Sequence, residues 1–222
     1  MANVTVIPPG QGEIIGDSSD RRVEILSEHD SLHATWSRFG SGRDGADLHI
    51  HYEHTDLFYV LEGEFTLRLG PDGVEVAAPA GTLIRVPRGI VHGFRNASDA
   101  DVRFLNLHAP GVGFITYMRG IRDGQPVSYD QFDPPDDGGA DPAGATFGEW
   151  PDEPDIKVFE ARSDGPKSHY DIRHTELYLL EGALSVSGER AEAGAWAHVP
   201  PGLPHTLEPI DGPARYLLIH TP

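Results

Sequence analysis

HIHYEHTDLFYVLEG, residues 49–63, is the stretch from which the rest of this 222-residue chain can be interpreted. Because side chains alternate along a β-strand, His49 and His51 are predicted to point to the same face. Asp56 follows a few residues later, so two imidazoles and one carboxylate form a candidate chelating set. The apolar run after Asp56 is typical of a strand that ends in a Glu-Gly turn.

A third imidazole, His92, lies in a second stretch, GTLIRVPRGIVHGFRN, residues 81–96. Three nitrogens and one oxygen would hold a divalent transition metal and leave coordination positions open for other ligands. Fe, Mn, Ni, Cu and Zn all remain candidates for this ion. The predicted metal ligands are His49, His51, Asp56 and His92.

The spacing His-x-His-x4-Asp-x6-Gly resembles the first motif of the cupin superfamily, and Gly-x5-Pro-x-Gly-x2-His-x3-Asn resembles its second motif. This resemblance implies a small antiparallel β-barrel that binds a metal inside it through the four ligands named above. The chain departs from the family pattern because Asp56 replaces the usual glutamate, and because Arg43 stands where the first motif opens with glycine. The candidate catalytic residues are Asp56, as ligand or base, and His54. His54 is either a substitute ligand or a solvated turn histidine, and we favour the second interpretation.

Composition and charge limit the class of protein. The 26 glycines and 19 prolines favour short strands joined by tight turns, which predicts an all-β fold. The formal net charge of −18 argues against a nucleic-acid partner or an anionic membrane surface. Cysteine is absent, so disulfides, a thiolate nucleophile and a cysteine metal site are excluded. Because neither a secretory leader nor an apolar span is visible, the predicted location is the cytoplasm.

The second half of the chain repeats the first. The His-Thr-Asp-Leu sequence at residues 54–57 recurs as His-Thr-Glu-Leu at residues 174–177, and the spacing of the second motif recurs at residues 194–205. The chain is therefore identified as a small bicupin, with two tandem jelly-roll barrels (double-stranded β-helices) and little helix.

The segment between the two copies changes sharply in composition and is predicted to be a linker, because it is rich in Pro, Gly and Asp. A short helix is predicted at residues 113–121, packed on the first barrel. Pairing of two chains as a homodimer through a sheet edge is left open. The predicted domain ranges are residues 1–121 for the N-terminal barrel, 122–155 for the linker and 156–222 for a degenerate C-terminal barrel.

A second metal site in the C-terminal barrel is an alternative that the repeat leaves open. Its candidate ligands are His169, Asp171, Glu176 and His205. The interval between the carboxylate and the next turn glycine is one residue shorter in this copy, and such a slip turns a strand's side chains to the opposite face. The C-terminal barrel is therefore interpreted mainly as a scaffold. His108 and His220, which the repeat also matches, are interpreted as structural.

The same strand parity predicts a mostly apolar and aromatic pocket around the first metal, which suits a small aromatic or polyketide-like substrate. The predicted substrate-binding residues are Phe58, Val60, Phe94 and Asn96. The leading hypothesis is a metal-dependent dioxygenase, similar to quercetin-dioxygenase-like cupins. One alternative is an isomerase, lyase or cyclase whose metal polarises a carbonyl, and another is a module whose metal only anchors a ligand. The fold alone does not choose among them.

Overall fold

The computed structural model describes residues 3–125 and 127–222 and divides the chain into two compact units. The N-terminal unit comprises Glu13–Glu149. The C-terminal unit comprises Trp150–Pro222 together with the start of the chain up to Gly12. Within the described residues, no helix has the length and apolar character that a membrane span requires.

Strands are numbered along the chain, beginning with β1 (Thr5–Ile7). The N-terminal unit contains ten strands, one α-helix and a short 3-10 turn (Pro142–Gly144) among its described residues. Its elements are β2 (Glu13–Asp17), β3 (Arg21–His29), β4 (Leu32–Phe39), β5 (Thr55–Glu62), β6 (Glu64–Leu69), β7 (Val74–Pro79), β8 (Leu83–Val86), β9 (His92–Arg95), β10 (Val102–Ala109), α1 (Phe114–Arg122) and β11 (Thr146–Phe147).

These strands form two antiparallel sheets that enclose a common core. The larger sheet has the order β11-β8-β5-β10-β4-β3-β2, and the smaller has the order β7-β6-β9. Side chains alternate between the two faces of each strand. On β10, for example, Phe104, Asn106 and His108 all border the internal cavity. Aromatic rings fill the space between the sheets, with Phe104 and Phe65 of the smaller sheet's β6 at a centroid distance of 4.8 Å.

The C-terminal unit is a single antiparallel sheet of seven strands. Its main path is β1-β16-β14-β17-β12, with β13 paired to β17 and β15 paired to β14. These strands are β12 (Lys157–Ser163), β13 (Lys167–His169), β14 (His174–Val186), β15 (Glu189–Glu192), β16 (Trp196–Val199) and β17 (His205–Thr221). With one short α-helix in the described chain, the prediction of a doubled all-β fold is confirmed.

The predicted linker does not behave as a spacer between domains. Residues up to Glu149 belong to the N-terminal unit, where Phe132 and Ile50 exchange backbone hydrogen bonds of 3.0 and 3.1 Å. Further along, β11 pairs with β8 at the edge of the larger sheet. Composition indicated that this segment builds no core of its own, but an extended chain can still satisfy its backbone groups along an existing sheet. We call residues 127–149 the strap.

The start of the chain also differs from the predicted ranges, which assigned it to the N-terminal barrel. β1 pairs in antiparallel register with β16, so residues up to Gly12 belong to the C-terminal unit. A short strand can complete an exposed sheet edge from any position in the sequence, because the pairing uses backbone groups only. The domain boundaries are therefore Gly12/Glu13 and Glu149/Trp150 instead of those expected from composition.

Helix α1 packs against the core of the N-terminal unit through Phe114, Tyr117 and Met118, as the sequence predicts. His33 supports its first turn, because its Nδ1 accepts a hydrogen bond from the Ile115 backbone N–H at 3.2 Å. Burial is the main reason that the pKa of His33 falls to about 4, well below its ordinary value of 6.5.

This buried histidine predicts a measurable dependence of stability on pH. The folded state stays neutral at His33 while the unfolded chain takes up a proton below pH 6.5, so stability is lost as pH falls. At pH 4 the loss should be about 3 kcal/mol. Urea unfolding at pH 7 and pH 4.5 should show a smaller difference for His33→Gln than for the wild-type chain. An equal pH dependence in the two proteins would contradict this assignment.

Candidate metal centre

The four predicted metal ligands converge in the N-terminal unit. The segment before β5 runs beside β9, and the backbones of His49 and His92 exchange hydrogen bonds of 2.8 and 2.9 Å. Asp56 lies near the start of β5, and its carboxylate points to the same place. The ligand atoms of His49, His51, Asp56 and His92 all lie within 4.8 Å of one another, and all four residues are buried.

The orientation of each imidazole is fixed by the protein backbone. A carbonyl oxygen can only accept a hydrogen bond, so each Nδ1 must carry the hydrogen and each Nε2 must present a lone pair. Metal-binding histidines are commonly held by such a bond from their second nitrogen. The acceptors are Asp47 O for His49 (2.6 Å), Ile90 O for His92 (3.0 Å) and Asp130 O for His51.

The free nitrogens then face each other without a hydrogen between them. The Nε2 atoms of His49 and His51 are 3.0 Å apart, and His92 Nε2 lies 3.2 Å from Asp56 Oδ2. Lone pairs at such distances repel unless a cation lies between them. Two nitrogens bound to one ion at ~2.1 Å and at right angles would be about 3.0 Å apart. The donor set therefore fits a divalent transition metal.

Burial keeps these imidazoles in the form that binds metal. Desolvation, followed by the nearby His92, lowers the pKa of His49 to about 4. Desolvation likewise lowers the pKa of His51. For Asp56, burial alone would raise the pKa, but the imidazoles of His108, His92 and His51 together hold it well below its ordinary value. His49 and His51 thus offer neutral nitrogens, and Asp56 offers a carboxylate anion.

The second oxygen of Asp56 is held by residues from β10. Asn106 Nδ2 donates to Asp56 Oδ1 at 3.0 Å, and His108 Nε2 lies 3.0 Å from the same oxygen. His108 therefore lies beside the candidate site, although the sequence analysis interpreted it as structural. The sequence did contain a signal for this position of His108. Asn106 and His108 are two residues apart, and so on one face, in a strand that pairs directly with β5.

His54 lies in the interior of the N-terminal unit and not in a solvated turn. It is fully buried, so its interpretation as a solvated turn histidine is wrong. Its Nδ1 lies 2.8 Å from Asp130 Oδ2, and its Nε2 lies 2.9 Å from the Tyr129 hydroxyl. The same hydroxyl also hydrogen-bonds His108 Nδ1, so a continuous chain of polar groups leads from Asp130 to Asp56.

Asp130, from the strap, holds this part of the site together. Its carbonyl accepts from His51, and its carboxylate accepts from the backbone N–H groups of Tyr52 (3.0 Å) and Glu53 (2.7 Å) as well as from His54. A carboxylate that accepts several hydrogen bonds is a strong clamp, because each bond is charge-assisted. No motif in the sequence pointed to Asp130 or Tyr129.

A cavity of about 350 Å³ is lined by three of the four candidate ligands, His49, His51 and Asp56, and lies within the size range of small-molecule sites. Of the four predicted substrate-binding residues, only Phe94 lines it. Phe58 and Val60 are fully buried in the core and do not border the cavity. The aromatic wall is instead made by Phe94 with Phe39 and Phe104.

Asn96 serves the backbone and not the cavity. Its amide nitrogen donates to the carbonyl oxygens of Phe39, Gly40 and Ala100 at 2.7 to 3.1 Å, and its oxygen accepts from Ser98. All of its hydrogen-bonding capacity is used in joining two loops. The prediction that Asn96 contacts substrate is therefore not supported by its position.

The C-terminal unit does not bring its four candidate ligands together. Asp56 lies seven residues before the turn glycine Gly63, but the residue seven before the corresponding Gly182 is Thr175. The pairing agrees, because Asp56 pairs with Val86 and His108 while Thr175 pairs with Val199 and His220. Glu176 is therefore turned to the opposite face of β14.

The remaining candidates of that unit border a smaller cavity of about 80 Å³. The rings of His169 and His205 stack at a centroid distance of 5.6 Å. Asp171 is bound by the Arg173 guanidinium through bonds of 2.9 and 2.7 Å, which occupies both of its oxygens. Among the described residues, these side chains do not form a convergent donor set like that of the N-terminal unit.

Comparisons with known proteins show similarities over part or most of the chain. Residues 35–108 match the Cupin_2 family, described as a cupin domain. The chain is 30% identical over 120 residues to quercetin 2,3-dioxygenase of Bacillus subtilis (strain 168), a match that covers 53% of this chain and 34% of that relative. The match thus spans about a third of the curated relative's length.

Solved structures share the fold across nearly the whole chain. The bacterial pirin YhhW from Escherichia coli, solved in complex with nickel(II), matches with a TM-score of 0.71 and 13% identity over 99% of both chains. A variant of salicylate 1,2-dioxygenase from Pseudoaminobacter salicylatoxidans matches with a TM-score of 0.58 and 15% identity, over 86% of this chain and 70% of that one. At these identities the likeness concerns the fold.

Proposed function

We propose that the N-terminal unit, whose residues 35–108 match a cupin domain, binds one divalent transition metal and acts as a dioxygenase on a small aromatic or polyketide-like substrate. The proposed ligands are His49, His51, His92 and Asp56. The observation that carries this proposal is the convergence of three backbone-fixed Nε2 atoms and one carboxylate, from four residues of which three line a cavity. The similarity to a quercetin dioxygenase supports the class of reaction.

A redox-active metal at this position would supply the reactivity with dioxygen that organic side chains lack. The chain's own residues perform the other tasks. Burial of the four ligands excludes bulk water, and the backbone carbonyls keep each lone pair directed inward. The aromatic wall of Phe39, Phe94 and Phe104 provides a surface on which a flat substrate can pack.

A second candidate function is non-redox chemistry, in which the metal polarises a carbonyl and side chains move a proton. The specific observation in its favour is the Tyr129 hydroxyl, which is hydrogen-bonded to both His54 and His108. His108 in turn lies 3.0 Å from Asp56, which gives the proposed catalytic pair Asp56 and His54 a connected path for a proton.

Metal analysis and an oxygen electrode separate these functions. The purified protein, loaded in turn with Fe, Mn, Ni, Cu and Zn, would be mixed with quercetin and related flavonols in air and under nitrogen. Oxygen uptake that needs both substrate and a redox-active metal would support a dioxygenase. Turnover with Zn under nitrogen would instead support the Lewis-acid function, and binding without turnover would support an anchoring module.

A further inference from the structure

The cavity of the N-terminal unit has a second polar end that the metal centre does not use. Two arginines, Arg21 and Arg43, border the cavity together with Phe39. Nothing in the metal chemistry calls for cations at this place. Their surroundings indicate which part of a ligand they would contact.

The sheet register separates these arginines from the metal ligands. Arg21 on β3 pairs with Phe39 on β4. Asp56 on β5 pairs with His108 on β10, and His108 pairs in turn with His33 on β4. Phe39 and His33 are six residues apart on one strand, so the arginines and the metal ligands lie on different rows of the sheet. Thr35 and Ser37 lie between them on the same face and also border the cavity. A ligand that spans the cavity would therefore meet a metal at one end and cations at the other.

The guanidinium of Arg21 is poorly satisfied by the protein. Its central carbon lies 5.9 Å from the Phe39 ring centroid, and its Nε is buried without a hydrogen-bond partner among the described residues. Burial and the like charge of Arg43 lower the pKa of Arg21. A half-buried guanidinium whose Nε lacks a hydrogen-bond partner costs free energy that an incoming anion would recover.

The acidic residues nearby do not neutralise this end of the cavity. Asp20 is half-buried, and it accepts from Arg43 at 2.9 Å and from Ser18 at 2.6 Å. Asp44, which borders the cavity, is exposed, and its charge acts on Arg95. Asp47, also in the cavity wall, is exposed and uses its backbone oxygen to hold His49, and the third acidic residue of the wall, Asp56, belongs to the candidate metal centre. Arg43 and Arg21 thus have one nearby carboxylate in common, Asp20, which hydrogen-bonds Arg43 and acts on Arg21 through its charge.

We infer that the Arg21 end of the cavity binds a carboxylate, so the substrate class is aromatic acids that carry oxygen donors at their other end. The guanidinium offers two parallel N–H groups to a carboxylate, and Phe39, Phe94 and Phe104 pack against the aromatic body. The far oxygens would reach the metal ligands. This inference rests on the proposed function for the position of the metal, but the arginine subsite is tested separately.

Calorimetric titration of metal-loaded protein under nitrogen provides the test. Caffeate and its amide share one catechol body and differ in the charge of the far end. The wild-type chain should bind caffeate about tenfold more tightly or better. Arg21→Gln should bind the two probes equally, and Arg21→Lys should keep part of the preference because it keeps the charge. Arg103→Gln, on an exposed surface pair with Glu62, should behave as wild type.

The outcomes distinguish this inference from the proposed function. Equal affinity of the wild-type chain for caffeate and its amide, or binding of neither probe, would overturn the carboxylate subsite. A preference that survives in Arg21→Gln would overturn the role of Arg21. The titration measures binding and not turnover. A chain that prefers caffeate in the titration but consumes no oxygen in the electrode experiment would refute the dioxygenase while supporting the subsite.

Discussion

His92→Ala is expected to reduce the metal content of the protein from about one ion per chain to near zero. His92 supplies one of the three inward-facing Nε2 atoms, and it also contacts the carboxylate of Asp56 at 3.2 Å. Its loss would leave Asp56, His49 and His51 as an incomplete and poorly oriented set, and the loss of a ligand outweighs the effects of outer-shell changes. Elemental analysis after dialysis against trace metal measures the result.

The repeat provides a matched control for this experiment. His205 holds the corresponding position in the C-terminal unit, where Asp56 is replaced by Thr175 in the paired register. His205→Ala should therefore leave the metal content unchanged. If His92→Ala retains its metal, the proposed ligand set is wrong. If His205→Ala loses metal instead, the C-terminal unit is the one that binds it.

Asp130→Asn should weaken metal binding about 10- to 100-fold, the range typical for partners that orient metal ligands. The substitution keeps the backbone carbonyl that accepts from His51, but the amide cannot accept from Tyr52, Glu53 and His54 at once. A buried donor left without an acceptor costs about 1–3 kcal/mol, so the metal-free protein should also lose stability. Competition with a chelator gives the affinity, and urea unfolding gives the stability.

Asp133→Asn is the control, because Asp133 lies in the same strap but is exposed. It should match the wild-type chain in both measurements. If Asp130→Asn lowers stability but leaves metal affinity unchanged, Asp130 supports the fold without orienting the ligands. If it changes neither quantity, its hydrogen bonds to residues 49–56, which we call the ligand loop, contribute nothing measurable.

The convergence of the four candidate ligands could be predicted from sequence because their spacing follows strand alternation and two motifs. His49 and His51 share a face by strand alternation, and the motif spacing brings Asp56 and His92 to the same end of the sheets. Asp130 could not be predicted, because it lies 79 residues beyond His51 and its role depends on tertiary contact alone. The composition of the strap indicates only that the segment builds no core of its own, which is why the sequence predicts a linker.

Strand alternation alone does not predict which residues border the cavity. Phe58 does lie on an inward-facing row, yet the inward side of a two-sheet fold is mostly filled core, and Phe65 packs against it at 4.9 Å. Which inward residues border open space depends on how the sheets diverge, and a sequence pattern carries no such information. In the second copy, by contrast, the shorter interval before the turn correctly indicated that Glu176 turns away.

The strap has a practical consequence for dissecting this protein. A fragment ending at residue 121 would follow the apparent change in composition, yet it would lack Tyr129, Asp130 and the edge strand β11. We expect such a truncated polypeptide to hold metal poorly, whereas residues 13–149 should retain the intact site. Protease cleavage within the strap would then release the ion from otherwise folded material, and tolerance of a cut there would report on how firmly the ligand loop is held.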